Sequence, residues 1–250
     1  MTINSTIETI LNHRSIRKFK KEKLSTEQIQ LLVKSAQQAS TSSHVMAYTI
    51  IGITDEKIKK ALYEVSGHRH VVDNGHLFIF CGDLHRVQLR ATESEKNSMA
   101  ETIESTEQFI VTIIDAALAS QNLAIAAESL GLGICYLGSL RNNINAFSSI
   151  LNLPDHAIPL FGIAVGYPDQ QPELKPRLPM EAVYHENTYK ADELQIPLLQ
   201  TFDEEMKAYY KNRSTNKRED TWKQQMIKKY NNSTRMDVSA FVQSKNLNKR

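Results

Sequence analysis

Three observations predict an α+β domain for this chain. Four short apolar runs, 48–53, 77–81, 134–137 and 160–166, have the length of strands. Between them lie segments whose apolar residues recur every three to four positions, the period of a helix with one buried face. The third observation is segment 109–130, which is rich in Ala, apolar nearly all round and closed by Gly131; it reads as a central buried helix. With 250 residues, 41% of them hydrophobic, the chain is long and apolar enough to bury a core. Two of the intervals can hold helical crossovers, but the strand order is not readable.

The first helix is expected over 5–13, with Ile7, Ile10 and Leu11 on one face and Ser5 and Glu8 at capping-box spacing. A basic stretch, 14–23, follows. Ser25 and Gln28 open a second helix that turns Ile29, Leu32, Val33 and Ala36 inwards. After the loop 40–44 and the strand 48–53, Asp55 caps a third helix with Ile58, Leu62 and Val65 facing the core. Segment 91–107 is polar and reads as an exposed helical excursion, and 143–151 as a short helix stopped before Pro154. From Tyr167 the character changes. Pro168, Pro172, Pro176 and Pro179 impose an extended path, and 191–210 is an amphipathic helix. The rest is basic and polar apart from Trp222, Met226, Ile227 and Phe241. Such a tail is either disordered or packed on another surface, its own or a second subunit's.

Nine Gly and seven Pro are too few for a low-complexity chain. The most apolar stretch, 109–127, carries Asp115 and is interrupted by Ser120, Gln121 and Asn122, so no membrane-spanning helix is expected. The first twelve residues lack the pattern of an export signal. Cys81 and Cys135 lie in apolar runs without metal-ligand spacing, which points to a reducing, cytoplasmic setting. The net charge of +2 hides an asymmetry: 207–250 holds twelve Lys/Arg against three Asp/Glu, leaving the other 206 residues at minus seven. That tail suits an acidic partner, a nucleic acid or a phosphorylated small molecule, or is simply a solvated face. Few aromatics interleave with its charges and no nucleic-acid-binding motif occurs, so no nucleic-acid partner is expected.

Three constellations bear on chemistry. His13, Arg14, Ser15 and Arg17 form a dense set of anion donors where the first helix ends, or else cations placed against its dipole. Lys175 and Arg177 flank Pro176, which fixes the backbone between two cations, unless this is only an exposed basic loop. Gly138 and Ser139 follow a buried strand, where a Gly lets a ligand approach the main chain. Thr41, Ser42 and Ser43 make a hydroxyl-rich loop. His68, Arg69 and His70 lack a supporting third ligand, so no metal site is expected. No nucleophile elbow, Walker loop or GxGxxG is present, which argues against hydrolysis, phosphoryl transfer and Rossmann-type dinucleotide binding.

Taken in order, these segments resemble the FMN-dependent nitroreductase family. The resemblance is carried by 13–17, by 127–133 (Ala-Glu-Ser-Leu-Gly-Leu-Gly), by 136–143 (Tyr-Leu-Gly-Ser-Leu-Arg-Asn-Asn), by 174–179 (Leu-Lys-Pro-Arg-Leu-Pro) and by 185–187 (His-Glu-Asn). It runs from about Thr6 to Trp222 and is greatest toward the NADPH-dependent flavin reductase P and major oxygen-insensitive nitroreductase branch. It implies one domain over 1–250, a sandwich with a central, mainly antiparallel sheet flanked by helices. It also implies a homodimer in which the extended region 168–250 wraps the partner.

By that resemblance His13, Arg14, Ser15, Lys175 and Arg177 hold the FMN phosphate and ribityl end, and Arg17 reaches the pyrimidine side of the ring. Tyr136, Leu137, Gly138 and Ser139 supply main-chain contacts, and Thr41, Ser42 and Ser43 meet the flavin across the interface. Arg213 and Arg218 match the NADPH-recognition segment; the alternative is a solvated charged loop. No catalytic side chain is implied, because the flavin N5 carries the hydride. The implied reaction is ping-pong transfer from NADPH to nitroaromatics, free flavins, quinones or disulfide reagents, the alternative being a protein that stores or senses FMN. Three departures touch the substrate-facing side: His68 to His70 stands where the family offers Gln or Asn, His44 replaces an aromatic, and Ser139 a Gly.

Overall fold

The computed structural model describes residues 3–213 and 216–250. They form two bodies, one built from the chain up to Gln171 together with Arg235–Arg250, the other from Pro172–Thr234.

In the first body, α1 (Ser5–Leu11) is capped by Asn4, whose side chain accepts from the Ile7 amide. The cap is therefore one residue earlier than the Ser5–Glu8 spacing suggests, since an Asn carbonyl accepts from the amide three residues on as well as a Ser hydroxyl does. Ile7, Ile10 and Leu11 share a face, but within one chain that face is exposed. Ser25 and Gln28 do form a capping box at the start of α2 (Thr26–Gln37), which buries Leu32 and Ala36. Strand β1 (Tyr48–Ile53) leads to α3 (Glu56–Ser66), capped by Asp55. Then come β2 (His76–Asp83), α4 (Glu93–Ile103), α5 (Thr106–Ser129), β3 (Gly133–Leu137), α6 (Ile144–Ile150) and β4 (Ala157–Gly166).

The strands form one antiparallel sheet in the order β1-β2-β4-β3, so β3 lies at an edge. Two-residue alternation sends Phe78 and Phe80 of β2 to one face, against α2 and α5. Leu77, Ile79 and Cys81 go to the other face, against Leu62 of α3 and Phe147 of α6. This is the helix-flanked α+β arrangement that the periodicities predict.

Helix α5 corrects one expectation. Val111, Ala116, Ala119, Leu123 and Ala127 are buried, but Ile110, Ile113, Ile114 and Leu118 form an exposed apolar stripe, Ile114 at 48%. A helix apolar all round needs cover on all sides, and one chain supplies only half of it. By length and composition α5 is also apolar enough to cross a bilayer, with a window of mean hydropathy 1.6, a test that the core helix of a folded domain passes as well. In this fold it packs on α2 and the sheet, and its Asp115 is wholly buried.

In the second body, an extended Pro-rich segment precedes α7 (Asp192–Asn212) and α8 (Trp222–Tyr230). Phe202, Met206 and Tyr210 make a small core there, with Leu178, Tyr209 and Trp222 packed against it. The chain then returns to the first body as α9 (Val238–Ser244), where Phe241, Val242 and Leu247 join the core on the α2–α5 side. Two main-chain bonds finish the seam: Thr106 N–H to Arg250 O and Lys249 N–H to Glu104 O, both 2.8 Å. The last residues of the tail are thus structural. Leu247→Ala should lower the unfolding free energy by about 2–5 kcal/mol, as for other fully buried leucines, measured by urea titration. A loss below about 0.5 kcal/mol would mean the segment is not packed as described.

Candidate functional site

The residues after α1 are held along the edge strand. Ser15 bridges Ile134 in parallel, the Ile16 amide donates to Ile134 O at 2.8 Å, and Ile16 is buried. Gly133 makes this approach possible: a Cβ there would stand 2.7 Å from Ile16 Cβ. His13 Nδ1 lies 2.7 Å from Glu128 Oε1, which ties the start of the segment to the end of α5. Arg14 Nε is buried with no hydrogen-bond partner among the described residues. A native protein rarely leaves a guanidinium nitrogen in that condition unless a ligand completes it.

A second strand of contacts joins the loop after α3 to the end of β3. Ser66 Oγ and Ser139 Oγ are 2.7 Å apart. His70 Nε2 lies 3.8 Å from Cys135 Sγ, and the His68 ring stacks on His70 with centroids 5.3 Å apart. His70 is buried and His68 exposed. Burial, reinforced by the charges of His68 and Arg17, lowers the His70 pKa to about 4, so the ring is neutral near pH 7. Burial raises the Cys135 pKa, with Arg17 opposing it, so this cysteine is a thiol. The charge of Arg17 thus acts on both groups, and Ser15 on Ile134, Ser66 on Ser139 and His70 on Cys135 bring the segments 13–17, 66–70 and 134–139 into one locus.

Ile134 turns its main chain toward Ile16, so the alternation of a strand puts the N–H and C=O of Tyr136 on the same open edge. The Tyr136 phenol is anchored away from that edge, by Ser120 Oγ at 3.1 Å and Gln121 Oε1 at 3.4 Å. Leu137 is buried and Gly138 begins a short turn.

Two arginines that the sequence reading did not single out flank that turn. Measured from where a Gly138 Cβ would be, Arg141 Nη2 is at 3.4 Å and Arg235 Nη1 at 3.9 Å. Arg141 donates to Leu160 O, and Arg235 donates from Nε and Nη2 to Asn142 Oδ1 at 3.1 and 2.9 Å. Both anchors are neutral, and neither arginine makes an ion pair among the described residues, so two cations meet at Gly138. Arg141 lies within the quoted motif, whereas Arg235 is 93 residues from its anchor and no spacing rule reveals it.

The loop Thr41 to Ser43 is built separately. Asp115 accepts from the Ser42 and Ala47 amides at 3.0 and 2.9 Å, and Ser43, His44 and Met46 have positive φ. No hydrogen bond joins this loop to the arginine locus among the described residues, and Ser42, Ser43 and His44 face outwards.

Lys175, Arg177, Arg213 and Arg218 belong to the second body. Lys175 and Arg177 are exposed on the extended segment. Arg213 stands 5.7 and 5.8 Å from the ring centroids of Tyr209 and Tyr210, and its Nε is buried without a partner among the described residues. Arg218 lies 3.8 Å over the Tyr210 ring and pairs with Asp220 at 3.2 Å. Ser214 and Thr215, inside the segment resembling an NADPH-recognition loop, lie outside the described residues.

An orphaned Arg14 Nε, a second cation in Arg17, an open strand edge and a glycine turn fit a phosphorylated ligand with a flat, hydrogen-bonding ring. Fold and site together define a class: an α+β protein whose edge strand and adjoining loops gather cations, an open strand edge and a glycine turn at one locus. The chain belongs to the nitroreductase family, whose sequence profile matches residues 10–167, with the family's C-terminal domain matching 175–250. It is 48% identical to the FMN reductase (NADPH) of Bacillus subtilis, over 99% of this chain and 100% of that protein. It is also 48% identical to an NADPH-dependent oxidoreductase of Staphylococcus haemolyticus, over 90% and 91% of the two chains. Among solved structures, NfrA1 of B. megaterium superposes with a TM-score of 0.95 at 51% identity, covering 98% of this chain and 100% of that one.

Proposed function

We propose that the protein is an NADPH-dependent FMN oxidoreductase that acts as a homodimer. The observation that carries this is the Nε of Arg14, buried and without a partner among the described residues, in the segment that lies along β3. His13, Arg14 and Ser15 would hold the FMN phosphate and ribityl chain, with Lys175 and Arg177 assigned to the same phosphate from the resemblance. Arg17 would face the pyrimidine side of the ring, where a cation favours the reduced, anionic flavin. Main-chain groups from Tyr136 to Ser139 would bond the ring edge, and His68, the exposed member of the histidine stack, would meet it in place of the family's amide. His70 contributes as a neutral wall behind His68.

FMN, when bound, supplies the two-electron exchange, taking a hydride from a reduced nicotinamide and returning the pair to an acceptor. The chain contributes orientation and charge and needs no acid–base pair. Reductant and acceptor would use the same space in turn, giving ping-pong kinetics. Arg141 and Arg235 put two charges beside that space, which favours acceptors with oxygen-rich groups such as nitroaromatics, quinones and free flavins, with disulfide reagents also admitted. Arg213 and Arg218 would bind the dinucleotide.

The exposed stripe of α5 and the apolar face of α1 support the dimer, because contiguous apolar surface of this kind marks an interface. In that assembly the loop Thr41 to Ser43 would reach the partner's flavin. Two unpaired, buried cysteines agree with a cytoplasmic location.

The test is anaerobic mixing of the FMN-loaded protein with NADPH. Bleaching of the flavin within the turnover time is expected; a flavin that stays oxidised would indicate storage instead. Arg14→Ala should weaken FMN retention roughly 10- to 100-fold, the worth of one or two charge-assisted bonds, measured by equilibrium dialysis.

A further inference from the structure

The bond between His13 and Glu128 does more than tie two segments together. Glu128 sits in the last turn of α5, a turn without a basic residue, so its charge stands at the negative end of a 24-residue helix. Only 13% of its side chain is exposed. A carboxylate in that place is unfavourable until a cation meets it. The group that meets it is the His13 ring, 115 residues away along the chain, with Nδ1 2.7 Å from Oε1. That is the length of a charge-assisted bond.

The bond also decides which protons the ring carries. An ionised carboxylate only accepts, so Nδ1 keeps its hydrogen. A neutral imidazole has one N–H; with that hydrogen at Nδ1, its Nε2 presents a lone pair, which repels a phosphate oxygen. Only the imidazolium donates to a carboxylate at one nitrogen and to a phosphate at the other. The charged neighbours do not compete for this proton. Arg14 and Arg17, on the same segment, carry guanidinium groups, which do not titrate in proteins. Tyr136 on β3 senses the charge of Glu128, but burial holds its phenol above the usual range and keeps it neutral. Glu8 on α1 is exposed, where solvent and salt screen it.

We propose that Glu128 is a positioning residue for the flavin phosphate: by holding His13 through Nδ1 it fixes the ring as an imidazolium and leaves Nε2–H for the phosphate, so that FMN binding above neutral pH takes up one proton from water. The inference rests on the FMN reading above and adds a proton to it. The only bond formed is N–H at His13 Nε2, and FMN itself is unchanged. Affinity is full while the free ring already holds both protons. It falls as rising pH strips the second proton from the free ring, because the complex must then recover it.

The test is calorimetric titration of the full-length, FMN-free protein with FMN at about pH 8, in two buffers of different ionisation enthalpy. Close to one proton should be taken up per FMN. A phosphate monoester loses its second proton near pH 6, so at about pH 8 the ligand neither supplies nor needs it. From about pH 7.5 to 9 the FMN affinity should fall toward tenfold per pH unit, whereas riboflavin, which lacks the phosphate, should show no such slope. Glu128→Gln keeps an oxygen for Nδ1–H but removes the charge; its FMN affinity should be about tenfold lower at pH 8, with riboflavin affinity unchanged. The proton count needs no variant and decides the matter even if Glu128→Gln does not fold. No proton uptake by the unmodified protein, an equal slope for riboflavin, or an unaltered pH profile in Glu128→Gln would overturn the inference while the FMN reading stands. Failure to bind FMN at any pH would overturn that reading instead.

Discussion

Asp115→Ala should destabilise the protein by about 3–6 kcal/mol and release the loop that carries Thr41, Ser42 and Ser43. Asp115 is fully buried within α5, and each carboxylate oxygen accepts one main-chain N–H, from Ser42 and from Ala47. Hydrogen bonds to a charged acceptor are worth about 1.5–3 kcal/mol each, and alanine leaves both amides without a partner. The loop is strained: Ser43, His44 and Met46 take positive φ, a conformation that costs non-glycine residues energy and persists only when its surroundings impose it. Asp115→Asn should lose roughly half as much, because the amide offers one oxygen and turns an NH2 group toward the second donor. Thermal melts give the stabilities, and hydrogen exchange at the Ser42 and Ala47 amides gives the local effect. Unchanged exchange at both amides in the alanine variant would dismiss this account.

What the sequence made legible is what local physics decides. The capping box at Ser25 and Gln28, the cap at Asp55 and the strand at 48–53 depend on neighbours within a few positions, and all three are found as expected. Strand β2 is readable only in its apolar middle, and β4 from Leu160 to its end at Gly166 but not in its first residues. Their ends at His76, Asp83 and Ala157 are set by pairing across the sheet, from Asp83 to Ala157, which no local pattern carries. Lys59 occupies the inward stripe of α3, where a charged residue reads as exposed, yet it is buried with its ammonium 3.7 Å from Glu56. Of the site, the dense pentad at 13–17 and the turn at Gly138 could be singled out because cations and glycines cluster there. Arg235 could not be, because its meaning comes from a chain return that brings it to Asn142. The exposed stripe of α5 is the same lesson in reverse, for composition shows that a surface is apolar and not which molecule covers it.

The second large effect is an acid-dependent loss of stability carried by His70 and His76. Both rings are buried, and both pKa values are lowered from 6.5 to about 4. Burial is the main cause in each case, aided by His68 and Arg17 around His70 and by Lys59 and Lys23 around His76. A histidine with a depressed folded pKa binds its proton more readily when unfolded. Its contribution is therefore complete above the unfolded value of 6.5 and is lost as the pH falls toward 4. Each ring should take away about 2 kcal/mol by pH 5 and about 3 kcal/mol by pH 4, so the pair removes a large share of a typical domain's stability. Proton uptake on unfolding, obtained from the slope of stability against pH, should approach two from these residues near pH 5. His76 is the cleaner of the two to test, because His70 adjoins the proposed flavin site whereas the His76 ring packs on Phe78 with its Nε2 partnerless among the described residues. His76→Gln removes one titrating group, so the slope should fall by about one proton whatever the variant's absolute stability. An unaltered slope would show that His76 is already protonated in the fold, or that water reaches the ring and hydrates its charge.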